Sequence, residues 1–197
     1  MAKQRLQEKY EKEVKVAIAR EFDIKNDHAI PRVTKVVVNM GVGEIAKNKE
    51  QLEKLKKDLA SITGQAPSIR NARVSIASFS LRAGMPVGLA VTLRSGKMYS
   101  FLDRLFSIVL PRLRDFRGVP TKSFDNSGNY TLGFEAHTVF PEIDSTKSAS
   151  PHGLEITVVT TADNKEEARK LLDLMGCPFI KDENMEVHDA KKRKVIK

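Results

Sequence analysis

Eight arginines and two lysines lie between Ala66 and Phe124: Arg70, Arg73, Arg82, Arg94, Lys97, Arg104, Arg112, Arg114, Arg117 and Lys122. Only two acids, Asp103 and Asp115, accompany them, so this stretch holds a surplus of eight positive charges against +9 for the full 197 residues. The guanidinium group is a planar fork of donors that matches two oxygens of one phosphate. The chemistry implied is recognition of a polyanion. A solvated tail would be lysine-rich and featureless, whereas these arginines are interleaved with apolar residues, among them Phe79, Tyr99, Phe101, Phe106 and Phe116. The segment therefore reads as folded and cationic at once, and an isoelectric point near 9.6 fits nucleic-acid binding.

Bond-making chemistry finds less support. His28, His137, His152 and His188 form no HExxH or similar ligand spacing. His137, Glu142, Asp144 and His152 can be gathered on paper into a metal site, but loop histidines and carboxylates co-occur by chance. Cys177, between Gly176 and Pro178, has no neighbouring His or Lys to activate it and reads as a buried thiol. Gly41-Val42-Gly43 lacks the third glycine, the lysine and the Ser/Thr of a phosphate loop. It reads as a turn, or as a place where backbone approaches RNA closely. No cofactor is implied.

Other partners and compartments narrow in the same way. A membrane surface is the competing polyanion, yet no apolar run approaches the roughly 20 residues that span a bilayer. One cysteine allows no intrachain disulfide, and Met1-Ala2-Lys3-Gln4-Arg5 lacks the apolar core of a signal peptide. The expected address is cytoplasmic.

The elements that must position these groups follow from periodicity. Leu6, Tyr10, Val14, Ala17 and Ile18 predict an amphipathic helix over residues 3–21. Val33 to Asn39 is rich in β-branched residues and predicts a strand, broken at Gly41. Leu52, Leu55, Leu59 and Ile62 predict a helix from about Lys49, stopped at Thr63-Gly64 with Gly64 as a left-handed cap. Ser68 to Val74 and Val87 to Arg94 read as strands, separated by a Ser- and Gly-containing stretch without a period. Tyr99, Leu102, Leu105, Phe106 and Val109 predict a third helix ending or kinking at Pro111. After a loop-like stretch from Phe116 come short strands at Tyr130 to Glu135 and Leu154 to Thr161. A fourth helix, capped by Asp163 or Asn164, carries Ala168, Leu171, Leu172 and Met175 and ends at Gly176 and Pro178. The interleaving predicts an α+β fold, with an antiparallel or mixed β-sheet and helices mainly on one face. Residues 1–180 read as a single RNA-binding domain. Residues 181–197, closing on Lys191-Lys192-Arg193-Lys194, read as a charged, disordered C-terminal tail.

Several long segments carry a resemblance. PRVTKVVVNMGVGE (Pro31 to Glu44), ITGQAP (Ile62 to Pro67), ARVSIASFSLRAGMPVGLAVTLR (Ala72 to Arg94) and FLDRLFSIVLPRLRDFRGV (Phe101 to Val119) come first. SFDNSGNYTLGF (Ser123 to Phe134), VFPEID (Val139 to Asp144) and ITVVTTADNKEEARKLLDLMGCPF follow in order. With these the chain resembles the bacterial-type large-subunit ribosomal protein L-five family, from about Leu6 to Phe179. The resemblance implies a ribosome-bound structural protein that binds 5S ribosomal RNA (5S rRNA) in the central protuberance, beside neighbouring central-protuberance proteins. It also implies contacts with the large-subunit rRNA and with the P-site tRNA. A small-subunit head protein would be met across an intersubunit bridge. The family fold is an antiparallel sheet covered by helices on one side.

Transferred residue by residue, the resemblance assigns 5S rRNA to Lys35, Asn39, Gln65, Thr92 and Arg94. Strand alternation agrees: Lys35, Val37 and Asn39 share one face, Val36 and Val38 the other, and Thr92 and Arg94 share a face. The loop implied to reach tRNA runs from Arg73 to Arg82, with Arg73, Ser75, Ser78, Phe79, Ser80 and Arg82 as its contacts. Phe79 lies there with no period to bury it, and hydroxyls beside arginines suit phosphate and 2′-OH. Where the family often carries further basic residues, this loop has Val74 and Ser80. Arg104, Arg112, Arg114 and Arg117 are left for the large rRNA or the bridge. Residues 182–197 run past the usual family end. Two other classes stand beside this reading: an RNA-directed enzyme using His137, Glu142 or Asp144, and a free RNA chaperone or translational repressor using the same basic surface.

Overall fold

Alternation along Val33–Gly41 organises the molecule, because Val36, Val38 and Met40 are fully buried while Thr34, Asn39 and Gly41 are exposed. The computed structural model describes residues 3–45, 48–114, 116–143 and 151–180. The predicted tail, with Asp115 and Asp144, lies outside the described residues.

Val33–Gly41 is β1, the centre of a five-stranded sheet with β2 (Ser68–Asn71), β3 (Pro86–Leu93), β4 (Tyr130–Phe134) and β5 (Leu154–Thr160). The order is β2-β3-β1-β5-β4, and every pairing is antiparallel. Register stacks the apolar positions in rows: Val38 faces Val91 and Ile156, and Leu132 faces Ile156. A period of two on a half-covered sheet puts these buried residues on one face. That face meets the helices, which completes the expected α+β architecture.

Helix α1 spans residues 5–21 and buries Leu6, Tyr10, Val14 and Ile18, each four apart. Four-residue spacing drifts by about 40° per step on an ideal α-helix. The π-helical turn Tyr10–Val14 absorbs that drift and keeps the stripe on the core. Tyr10 also donates to the Pro31 carbonyl at 3.0 Å. Helix α2 (Lys49–Thr63) starts where Asn48 Oδ1 accepts from the Glu50 and Gln51 amides and stops at Gly64, φ 65°. Helix α3 begins as Ser95–Arg104, continues through Leu105–Val109 and Leu110–Arg112, and ends around Pro111 as its ring requires. Helix α4 (Lys165–Leu174) has Asn164 at its N-cap, but the side chain makes no cap bond. Instead the Glu167 carboxylate accepts from the Asp163 amide.

Two departures from the periodic reading are local. Strand β2 stops at Asn71, which pairs with Pro86 just past a register shift between Arg70 and Asn71. The third helix begins four residues earlier than its first stripe residue, at Ser95, which holds a left-handed φ of 50°. One apolar cluster, running in sequence from Leu6 to Cys177, fills the space between sheet and helices.

Candidate nucleic-acid interface

The second face of the sheet carries no helix among the described residues. On β1 it presents Lys35, Val37 and Asn39, and across the ladder Thr92 lies opposite Val37 while Ala90 lies opposite Asn39. Thr157 and Glu155 occupy the matching positions on β5, and Thr131 and Gly133 those on β4. On β2, Ser68 lies opposite Ala90 and Arg70 opposite Gly88. Most of these side chains are short, so the face is flat and its backbone is approachable. A Cβ added at Gly41 or Gly133 would meet nothing within 4 Å; glycine there is not demanded by packing. Gly88 differs, for its Cβ would sit 3.7 Å from Asn39 Oδ1 and 3.4 Å from the Met40 carbonyl.

Gln65 and Arg94 join this face from its margin. Gly64 turns the chain out of α2, and Thr63 Oγ1 donates to the Leu59 carbonyl at 2.8 Å while accepting from the Gln65 amide at 3.4 Å. The Gln65 side chain is thereby aimed at β3, and its Nε2 donates to the Thr92 carbonyl at 3.3 Å. Its side-chain oxygen remains as an acceptor beside Thr92. Arg94, extended and exposed, directly follows Leu93 and precedes the first turn of α3. Lys97 Nζ donates to the Gly64 carbonyl at 3.3 Å and ties the start of α3 to the end of α2. The five residues assigned to 5S rRNA thus lie on one face and its margin.

The loop between β2 and β3 is a folded excursion held by its own bonds. Ala72 and Met85 close its base, the Met85 carbonyl accepting at 2.8 Å. Ile76 and Leu81 exchange both backbone bonds at 3.0 and 3.1 Å around the single turn Ala77–Phe79. Ser80 takes the left-handed conformation there, φ 51°. Ser75 Oγ accepts from the Ala83 amide at 2.9 Å, so this hydroxyl shapes the loop as well as facing outward. Arg73, Ser78, Phe79 and Arg82 are exposed, Phe79 at 77% and Val74 at 66%. Ser75, Ala77, Ser80, Leu81, Arg82 and Met85 line an open concavity of about 710 Å³.

The remaining arginines separate. Arg112, Arg114 and Arg117 are exposed, and their side chains make no hydrogen bond or ion pair among the described residues. The same holds for Lys35, Arg70, Arg73, Arg82 and Arg94. Arg104 is different: it is half-buried, pairs with Glu142 and donates to the Ile62 carbonyl at 2.9 Å. It ties α3 to the end of α2 and is committed within the fold.

Of the residues gathered on paper into a metal site, His137 and His152 lie side by side, their ring centroids 6.4 Å apart, and Asp144 lies outside the described residues. His137 is fully buried, its Nδ1 accepts from the His152 amide at 3.2 Å, and its Nε2 lies 3.5 Å from Asp58. Glu142 is taken by Arg104, and among the described residues no group of three or more His, Cys, Asp or Glu is placed to hold a metal. Cys177 is buried, and that burial pushes its thiol well above the ordinary range, away from the reactive thiolate. Arg70 is the residue that spacing alone missed. Its strand was expected, but its place on the open face follows only from its register with Gly88.

Fold and surface define an α+β protein with one face of its sheet built into a core and the other flat, cationic and without a covering helix among the described residues. Residues 26–82 match the family model described as ribosomal protein L5, and residues 86–179 match the model for the C-terminus of the same ribosomal family. Curated relatives called large ribosomal subunit protein uL5 are similar over nearly their whole length. The one from Chloroflexus aurantiacus is 53% identical over 175 residues, 89% of this chain and 97% of the relative. That from Nocardia farcinica is 54% identical over 175 residues, covering 89% and 94%. That from Dehalococcoides mccartyi strain CBDB1 is 54% identical over 161 residues, covering 82% and 90%. The chain belongs to the ribosomal protein L5 family, whose members are structural components and not enzymes. No helix among the described residues is long and apolar enough to cross a membrane.

Proposed function

We propose that this protein is a structural component of the large ribosomal subunit that binds 5S rRNA in the central protuberance through the uncovered sheet face. Lys35 and Arg94 neutralise phosphates. Asn39, Gln65 and Thr92 supply hydrogen bonds to bases and 2′-OH groups. Arg112, Arg114 and Arg117 serve the large rRNA or the intersubunit bridge with a small-subunit head protein. The loop from Arg73 to Arg82 reaches the P-site tRNA, with Phe79 packing on sugar or base. The observation that carries the reading is the gathering of Lys35, Asn39, Gln65 and Thr92 on one uncovered surface whose cations have no partner among the described residues.

The test is filter binding of the purified protein to 5S rRNA and to a tRNA of similar size. Preference for 5S rRNA is expected. Asn39→Ala and Arg94→Ala should each weaken that binding by about 1–3 kcal/mol, whereas Arg82→Ala should leave it nearly intact. Equal affinity for both RNAs would sink specific recognition.

A further inference from the structure

Glu155 is the only acidic residue in the five strands, and it stands on the face proposed to hold a polyanion. It is exposed and lies opposite Asn39 on β1 and Gly133 on β4. Its carboxylate has no hydrogen bond or ion pair within the described residues, so it is not there to hold a neighbouring cation. Nor does packing require it, because the fold leaves this position in the open. A carboxylate facing a phosphate backbone repels it, and desolvating an unpaired charge at an interface is unfavourable. The group is useful only where RNA presents donors instead of anions.

We infer that Glu155 and Asn39 together read the edge of a guanine in the bound RNA. A carboxylate is an acceptor with two oxygens, and a side-chain amide carries both donor and acceptor. Among the four bases, guanine alone offers two adjacent donors, N1–H and N2–H2, next to an acceptor, O6. Glu155 takes the two donors and the Asn39 amide donates to O6. Cross-strand neighbours stand about 5 Å apart at Cβ, which brings both side chains to one base. The flanking positions leave room for the ring: Ala90 on one side is small, and a Cβ on Gly133 on the other would meet nothing within 4 Å. The base must be unpaired or splayed out, the usual state of sequence-read RNA. The inference rests on the reading that this face holds 5S rRNA.

The experiment compares wild type, Glu155→Gln, Glu155→Ala and Lys35→Ala for binding to 5S rRNA across a salt series. If Glu155 reads a base, both Glu155 variants bind about tenfold more weakly with the salt slope unchanged. If the acid merely sits beside the backbone, removing its charge tightens binding, and equal or tighter binding by the Glu155 variants overturns the inference. Lys35→Ala separates the two readings. A weaker complex with a slope lower by about one supports the face as the RNA site, and no effect from any of the three variants overturns both readings. The base is identified by 5S rRNA in which inosine randomly replaces guanosine, deleting only the N2 amino group. One or a few positions should interfere with wild-type binding and cease to interfere with Glu155→Gln. Interference that is the same for both proteins removes guanine from the inference.

Discussion

On the helical side of the molecule, Arg5 reaches Asp103 at 2.5 Å, Lys15 reaches Asp27 at 2.5 Å and Lys170 reaches Glu21 at 2.9 Å. Across the sheet, Lys35, Arg70 and Arg94 have no such partner among the described residues, nor do Arg73 and Arg82 on the loop. Both sides carry charge, but on the helical side several cations are answered within the fold and acids lie among the rest, while the cations of the sheet face have no partner among the described residues. Exposed pairs of the first kind contribute little stability, typically below about 1 kcal/mol. Their effect is to neutralise the helical surface. The net charge is thereby concentrated where the sheet is flat, and phosphate is drawn there in preference.

One substitution on each face separates the two. Leu102, fully buried in α3, should lose about 2–5 kcal/mol of stability as Leu102→Ala, read by chemical denaturation. Asn39→Ala on the open face should change stability by no more than about 0.5 kcal/mol. A large loss of stability from Asn39→Ala would mean that this face is part of the core's support and not a surface held in reserve.

Arg104 tests the border, since sequence position alone groups it with Arg112 and Arg114. Arg104→Ala removes the donor to the Ile62 carbonyl and leaves Glu142 unanswered, so it should destabilise by about 1–3 kcal/mol with the RNA salt slope unchanged. Arg112→Ala should change neither stability nor 5S rRNA binding. In complete large subunits it should weaken whatever Arg112 contacts, read as subunit yield in a reassembly assay.

The loop gives the next smaller effect. Arg73 and Arg82 are exposed without partners among the described residues, so each replaced by Ala should lower the salt slope of tRNA binding by about one unit. An unchanged slope would mean that the loop meets its RNA through Phe79 and hydroxyls alone.

How much of this was legible beforehand follows the range of each interaction. Alternation in Val33 to Asn39 separates the two faces of β1 without any structure, and the apolar stripe from about Lys49 with the stop at Thr63-Gly64 marks α2 almost to the residue. Those signals are local. Arg104 could not be told from Arg112, because its partners Ile62 and Glu142 lie 42 and 38 residues away. The surroundings of His137 were hidden for the same reason. His137 is used up by Asp58 and the His152 amide, contacts that only tertiary packing creates. The hydrogen bonds that fold the loop from Ala72 to Met85 leave no period in the sequence, since they join backbone to backbone across a single turn. Glu155 was readable as a strand residue, but its position opposite Asn39 needed the register.

The smallest expected effect belongs to a carboxylate that the fold does answer. Asp125 accepts from the Asn129 amide at 2.7 Å, the Asn129 side chain at 2.8 Å and the Ser127 amide at 2.9 Å. These bonds, the Asn129 side chain first, hold its carboxyl below the usual range. Asn129 passes the order on, its Oδ1 accepting from the Thr160 amide at 3.2 Å, which anchors the turn before β4 to the end of β5. A carboxyl whose folded pKa is depressed contributes stability that is fully present above its unfolded value, about 3.9, and is lost as pH falls through the folded value. Wild type should therefore exceed Asp125→Asn in Tm near neutral pH by about one or two degrees, the group being exposed. The difference should shrink below about pH 4. A difference that persists unchanged in acid would mean that the turn is held by shape and not by the ionised carboxylate. Glu155, which has no such donors among the described residues, is the contrasting acid: free protein carrying Glu155→Gln should melt at the wild-type temperature near neutral pH.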